Sequence, residues 1–231
     1  MEAGEVAPSA AEKTSAKSGG KLAIDAFFAK TAGDEGIDVH REGQLMQRNI
    51  INPACGWELT VHPQPTLADL EACMLSARQR NVKGVHLSGH ATLQNGFAWN
   101  ADDAASTKAE AEMPAVVALI GRASEGAGGS VEFANLNACS TYEMARLLRE
   151  AKVPHVLCWR TPVHDDIARE MCGHFIRDLM RQSKGGSGRR DYPSAFDAAA
   201  DVCVSAPTPA APRASRARPA WLWSIRARGA G

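Results

Sequence analysis

The chain has 231 residues, 45% of them hydrophobic, with 26 basic side chains against 26 acidic ones. That length supports one α/β domain with a substantial core, and the balanced charge gives no electrostatic footprint for nucleic acid or an anionic membrane. No run of about 18 apolar residues is present, so no membrane span is expected, and no apolar leader with a cleavage site marks the chain for secretion. The six cysteines (Cys55, Cys73, Cys139, Cys158, Cys172 and Cys203) are therefore read as thiols of a reducing, cytoplasmic compartment, most of them buried as small apolar groups.

Residues 1–20, rich in Ala, Ser, Glu, Lys and Gly, read as a disordered leader, and residues 21–204 as the folded domain. The apolar run Leu22–Ala29 predicts a strand and Glu35–Ile50 a polar helix. Trp57–Val61 predicts a second strand. Thr66 stands as an N-cap before a helix running from Leu67 to about Arg80. Val82–Ser88 is largely apolar and reads as a buried strand, with a small hairpin arm at Gly96–Trp99. Met113–Arg122 predicts a helix that carries Pro114 in its first turn. Strand Ser130–Asn137, helix Thr141–Ala151, strand Pro154–Trp159 and helix Asp165–Met180 follow. The last of these has Ile167, Met171, Phe175 and Leu179 spaced by four on one face. A short helix is expected at Ser194–Val202. Residues 205–219 form an Ala/Pro/Arg linker, and 220–231 a possible last strand at Trp221–Ile225 with a basic, solvated tail. The β-α alternation predicts a three-layer α/β/α fold with a mostly parallel sheet of about six strands.

In open α/β sheets ligands gather at the carboxyl ends of strands. Ser88-Gly89-His90 follows one predicted strand and Asn137-Ala138-Cys139 another, and a single β-α-β crossover joining the two makes them expected neighbours. A free thiol is mostly protonated at neutral pH. An adjacent imidazole can take that proton or, when charged, stabilise the thiolate. A helix just after Cys139 would add its positive end, and backbone N–H groups at Cys139 and beside His90 could hold an oxyanion. The separation of about 50 residues, His before Cys, is that of caspases, whose local motif differs. His86, on the strand, is expected beneath the site, either as a core histidine or as an orienting partner. Asp165 and Asp166 start a helix and are read first as caps. Asp165 could also bind a basic substrate side chain, and Arg160, past the preceding strand, an acidic one. Cys158, His164, Cys172 and His174 lack the paired spacing of structural zinc ligands, so no metal is expected. No G-x-S-x-G elbow or phosphate-binding glycine motif is present.

The stretches Val85-His86-Leu87-Ser88-Gly89-His90-Ala91 and Leu136-Asn137-Ala138-Cys139-Ser140-Thr141 resemble the histidine and cysteine motifs of CHAT domains. These are caspase-like domains of the caspase/separase-type cysteine peptidases, often joined to TPR repeats. Gly96-Phe97-Ala98-Trp99, the Trp159–Ala168 junction and Asp191–Ala200 are similar as well, so the resemblance spans roughly Leu22–Val202. It implies a caspase-haemoglobinase-like fold and a cysteine endopeptidase acting on protein or peptide substrates. His90 would be the general base and Cys139 the nucleophile, with Gly89, Ala91 and His86 as oxyanion or supporting residues. It implies no cofactor, and a TPR-type regulatory protein as a possible partner. Ala91 departs from the pattern, where glycine is usual; it keeps its N–H but restricts φ. A catalytically silent interaction or signalling module is the alternative reading.

Overall fold

The computed structural model describes residues 21–29, 38–50, 56–92, 96–97, 112–160, 162–184, 190–205 and 222–226. The expected leader (1–20), the linker beyond Ser205 and the tail beyond Arg226 lie outside the described residues, as do Cys55, Ala98 and Trp99.

The elements in chain order are β1 (Leu22–Ala29), α1 (Val39–Ile50), β2 (Trp57–Pro63), α2 (Leu67–Ser76), β3 (Val82–Gly89), β4 (Ala91–Thr92) and β5 (Gly96–Phe97). They continue with α3 (Glu112–Ala123), β6 (Phe133–Asn137), α4 (Tyr142–Glu150), β7 (His155–Trp159), α5 (Asp165–Lys184), α6 (Tyr192–Ser205) and β8 (Leu222–Arg226). Helix α2 starts where Thr66 was expected to cap it. Its side chain accepts from the Asp69 N–H while Asp69 reaches back to the Thr66 backbone, a reciprocal capping box.

The main sheet has the order β2-β1-β3-β6-β7-β8, the first five strands parallel and β8 antiparallel to β7. This bears out the expected mostly parallel sheet and the adjacency of the strands that precede His90 and Cys139. Strands β4 and β5 form the small antiparallel arm read at Gly96.

Both faces of the sheet are covered, and β1, β3 and β6 are buried nearly throughout. Alternate residues face opposite layers. Phe27, Val85, Leu87, Ala134, Leu136 and Val156 pack into one cluster with α2, α3 and α4. Ile24, Phe28, Phe133, Leu157 and Trp159 pack into the other with α1, α5 and α6. The second face also receives the polar residues His86, Ser88, Asn135 and Asn137, all buried. Among the described residues no helix is long and apolar enough to cross a membrane.

Candidate active site

Strands β3 and β6 run in register, with His86 opposite Asn135 and Ser88 opposite Asn137. The next alternate positions are His90 and Cys139. Both lie just past the carboxyl ends of adjacent parallel strands, on one edge of the sheet. The switch point of the strand order, where β1 is flanked by β2 and β3, lies beside them.

His90 is exposed. Gly89, immediately before it, has φ +150°, and a Cβ there would lie 2.1 Å from the carbonyl oxygen of Ala29 on β1. Only glycine fits this approach, so the residue serves to pass the chain from β3 to His90. Ala91 opens β4 and is half-buried against the α2/α3/α4 core.

Cys139 is half-buried in the turn between β6 and α4. Its Sγ accepts from the Val163 N–H at 3.4 Å and lies 3.7 Å from the Val163 carbonyl oxygen, so the β7–α5 loop rests on the sulfur. The helix begins slightly later than expected. Ser140 turns the chain with φ 54°, Thr141 is the N-cap, and α4 starts at Tyr142. The buried Thr141 hydroxyl ties this turn down, donating to the carbonyls of Leu136 and Ala138 and accepting from the Trp159 N–H.

Four other cysteines have environments that hold the proton on sulfur. Burial pushes the Cys158 thiol up to about 12 and Cys203 to about 11. It also raises Cys73, and it raises Cys172 well above the ordinary range with help from the Glu42 carboxylate. Cys73 and Cys172 do touch histidines, His62 at 3.6 Å and His86 at 3.8 Å. Both thiols are nevertheless buried in the layers rather than placed at the strand ends.

Beneath the edge lies a polar network that the sequence reading only partly anticipated. His86 is 1% exposed, tilted on Phe28, with Nε2 3.0 Å from Glu42 Oε1 and Nδ1 3.1 Å from Asn135 Nδ2. The Glu42 carboxylate, also 1% exposed, accepts from Ser88 Oγ at 2.6 Å and from Asn137 Nδ2 at 2.5 Å. Asn137 Oδ1 in turn accepts from the Trp159 indole at 3.1 Å. Burial works to raise the Glu42 carboxyl, but the charge and hydrogen bond of His86 and the donors Ser88 and Asn137 prevail and leave it lowered. Glu42 was missed, although a signal existed: it stands four and eight residues before Met46 and Ile50, on their buried helix face.

The two expected substrate-binding residues fare differently. Asp165 lies in the first turn of α5 with its carboxylate 2.6 Å from the buried Arg169, which also pairs with Asp166, so both carboxylates are engaged along the helix. Arg160 is exposed just past β7, its guanidinium 5.1 Å from the Tyr142 ring centroid, on the same edge as Cys139.

Among the described residues two sets of side chains have donors close enough for a metal, Asp25/His62/Cys73 and Glu42/His86/Cys172. Arg80 sits on one oxygen of Asp25, whose other oxygen is buried without a hydrogen-bond partner among the described residues, whereas Ser88 and Asn137 take both oxygens of Glu42.

No family model matches this chain, and no curated protein matches it.

Proposed function

We propose that the chain is a cysteine endopeptidase of the CHAT/caspase-like type, with Cys139 as nucleophile and His90 as general base. The observation that carries this reading is the pairing of β3 with β6. His86/Asn135 and Ser88/Asn137 are successive partners on one face, and His90 and Cys139 occupy the next positions at the exposed edge. Cys139 is half-exposed in the turn at the end of β6, with its sulfur against the Val163 backbone.

In the reaction, His90 takes the Cys139 thiol proton and the sulfur attacks the scissile carbonyl carbon. Backbone N–H groups at Cys139 and beside His90 hold the oxyanion. The C–N bond breaks as His90 passes the proton to the leaving amine. Water, deprotonated by His90, then cleaves the thioester, releasing the acid and restoring the thiol. Gly89 and Ala91 support the backbone on the histidine side.

The test is cleavage of a peptide library by the wild-type chain and by Cys139→Ala. Cleavage lost in the variant supports the reading. Equal cleavage by both overturns it, and no cleavage by either leaves the interaction-module alternative standing in its place.

A further inference from the structure

We infer that Glu42 is a positioning residue, a strut from α1 that ties the ends of β3 and β6 together and so sets the spacing of His90 and Cys139. The inference rests on the dyad reading above and adds a residue that never touches substrate.

The geometry is specific. One carboxylate joins the two strands: Oε2 takes a bond from Ser88 on β3 and Oε1 one from Asn137 on β6, with His86 Nε2 of β3 also 3.0 Å from Oε1. Ser88 and Asn137 are register partners, and each stands two residues before a member of the dyad. Asn137 is fixed from its other side by Trp159, which extends the tie to β7. The base of the strut is seated as well. Asn49 of α1 donates to the Gly173 carbonyl of α5 at 3.1 Å, where a Cβ would meet Leu45 Cδ2 at 2.6 Å.

Gluing α1 to the sheet does not require a carboxylate, and Met46 and Ile50 already do so on the same helix face. Burying a carboxylate is unfavourable unless its bonds are fully made. What it adds over a leucine is direction. Two charge-assisted bonds of fixed length hold two strand ends at one separation, whereas apolar contacts slide. The bonds land at the carboxyl ends of the strands, where small displacements carry straight into the dyad, and misplacement of about 1 Å can slow a reaction about 100-fold.

The experiment follows alkylation of Cys139 by iodoacetamide at about pH 6, read at that residue by peptide mass spectrometry. It compares full-length wild type, His90→Ala, Glu42→Gln and Ser88→Ala, with circular dichroism and thermal melting to establish folding. We expect Glu42→Gln, folded at the assay temperature, to react about tenfold more slowly or worse, toward the His90→Ala rate, and Ser88→Ala to fall between. A purely structural glutamate would lower the melting temperature and leave the Cys139 rate unchanged. A rate that depends on His90 but not on Glu42 overturns the strut and leaves the dyad standing. A wild-type rate equal to that of His90→Ala overturns the dyad reading and the strut's role with it. Should Glu42→Gln fail to fold, an unchanged rate in folded Ser88→Ala overturns the strut.

Discussion

Replacing Gly89 by alanine places two separate penalties on one added atom. With φ at +150°, the backbone occupies a region close to glycine-only, which costs another residue about 1–3 kcal/mol. The new Cβ would also stand 2.1 Å from the Ala29 carbonyl oxygen, its register partner on β1. That obstacle is main chain in the middle of the sheet and cannot rotate away, so the steric part adds about 1–3 kcal/mol. Two other glycines separate the contributions. Gly128 has φ +85° with nothing within 4 Å of an added Cβ, and so carries the conformational penalty alone. At Gly84 a Cβ would lie 2.1 Å from the Phe133 ring, which is held edge-on to Phe175 and against Tyr192, and so carries the steric one. Urea denaturation should rank Gly89→Ala as the least stable of the three, by about 2–6 kcal/mol against wild type. Gly128→Ala should lose about 1–3 kcal/mol. Equal midpoints for Gly89→Ala and Gly128→Ala would refute the account of the β3 end.

Acid should unfold the chain through its buried carboxylates. Glu42 and Glu132 are both lowered from the ordinary value of 4.5. Burial pushes each upward, but the first is overcome by His86, Ser88 and Asn137, and the second by Arg190, Tyr192 and Lys83. A depressed folded value means that their stabilisation is complete above 4.5 and is lost as pH falls through the lower folded values. Denaturation midpoints should therefore hold near neutrality and drop below about pH 4.5, and Glu42→Gln should flatten that drop; an unchanged acid limb in the variant would exclude Glu42 as a source. On the proposed endopeptidase reading, Arg160, exposed on the same edge as Cys139, would favour an acidic residue near the scissile bond. Arg160→Ala should reduce kcat/KM for such peptides by roughly tenfold relative to basic ones, and Asp165→Asn should not; the reverse pattern would assign recognition to Asp165.

The local parts of the fold were legible because their causes are local. Apolar runs bounded by glycine and polar turns mark β1 and β3. Spacing by four marks α5, and Thr66 announces the start of α2. His90 and Cys139 could be singled out for the same reason, since residues that end two predicted strands joined by one crossover must emerge on one edge. The start of α4 shifted from Thr141 to Tyr142 because Thr141 spends its hydroxyl on Leu136 and Ala138 and its position on capping. The β8 segment was foreseen as a strand, but pairing alone decides that it runs antiparallel to β7.

The support of the site was decided at long range. Glu42 lies 46 residues from Ser88 and 95 from Asn137. No local pattern specifies that the three meet; the register of β3 on β6 and the seating of α1 on α5 bring them together. Asp165 shows the same division. Its place at the start of a helix was evident from the sequence, but only packing buries Arg169 beside it and draws its charge along the helix instead of into the site. Sequence by itself determined the elements and the two candidate residues at the strand ends, because periodicity and strand ends are written in neighbouring positions. Tertiary structure decided which buried groups hold them, because a carboxylate can be buried only where separate strands deliver its donors to one point.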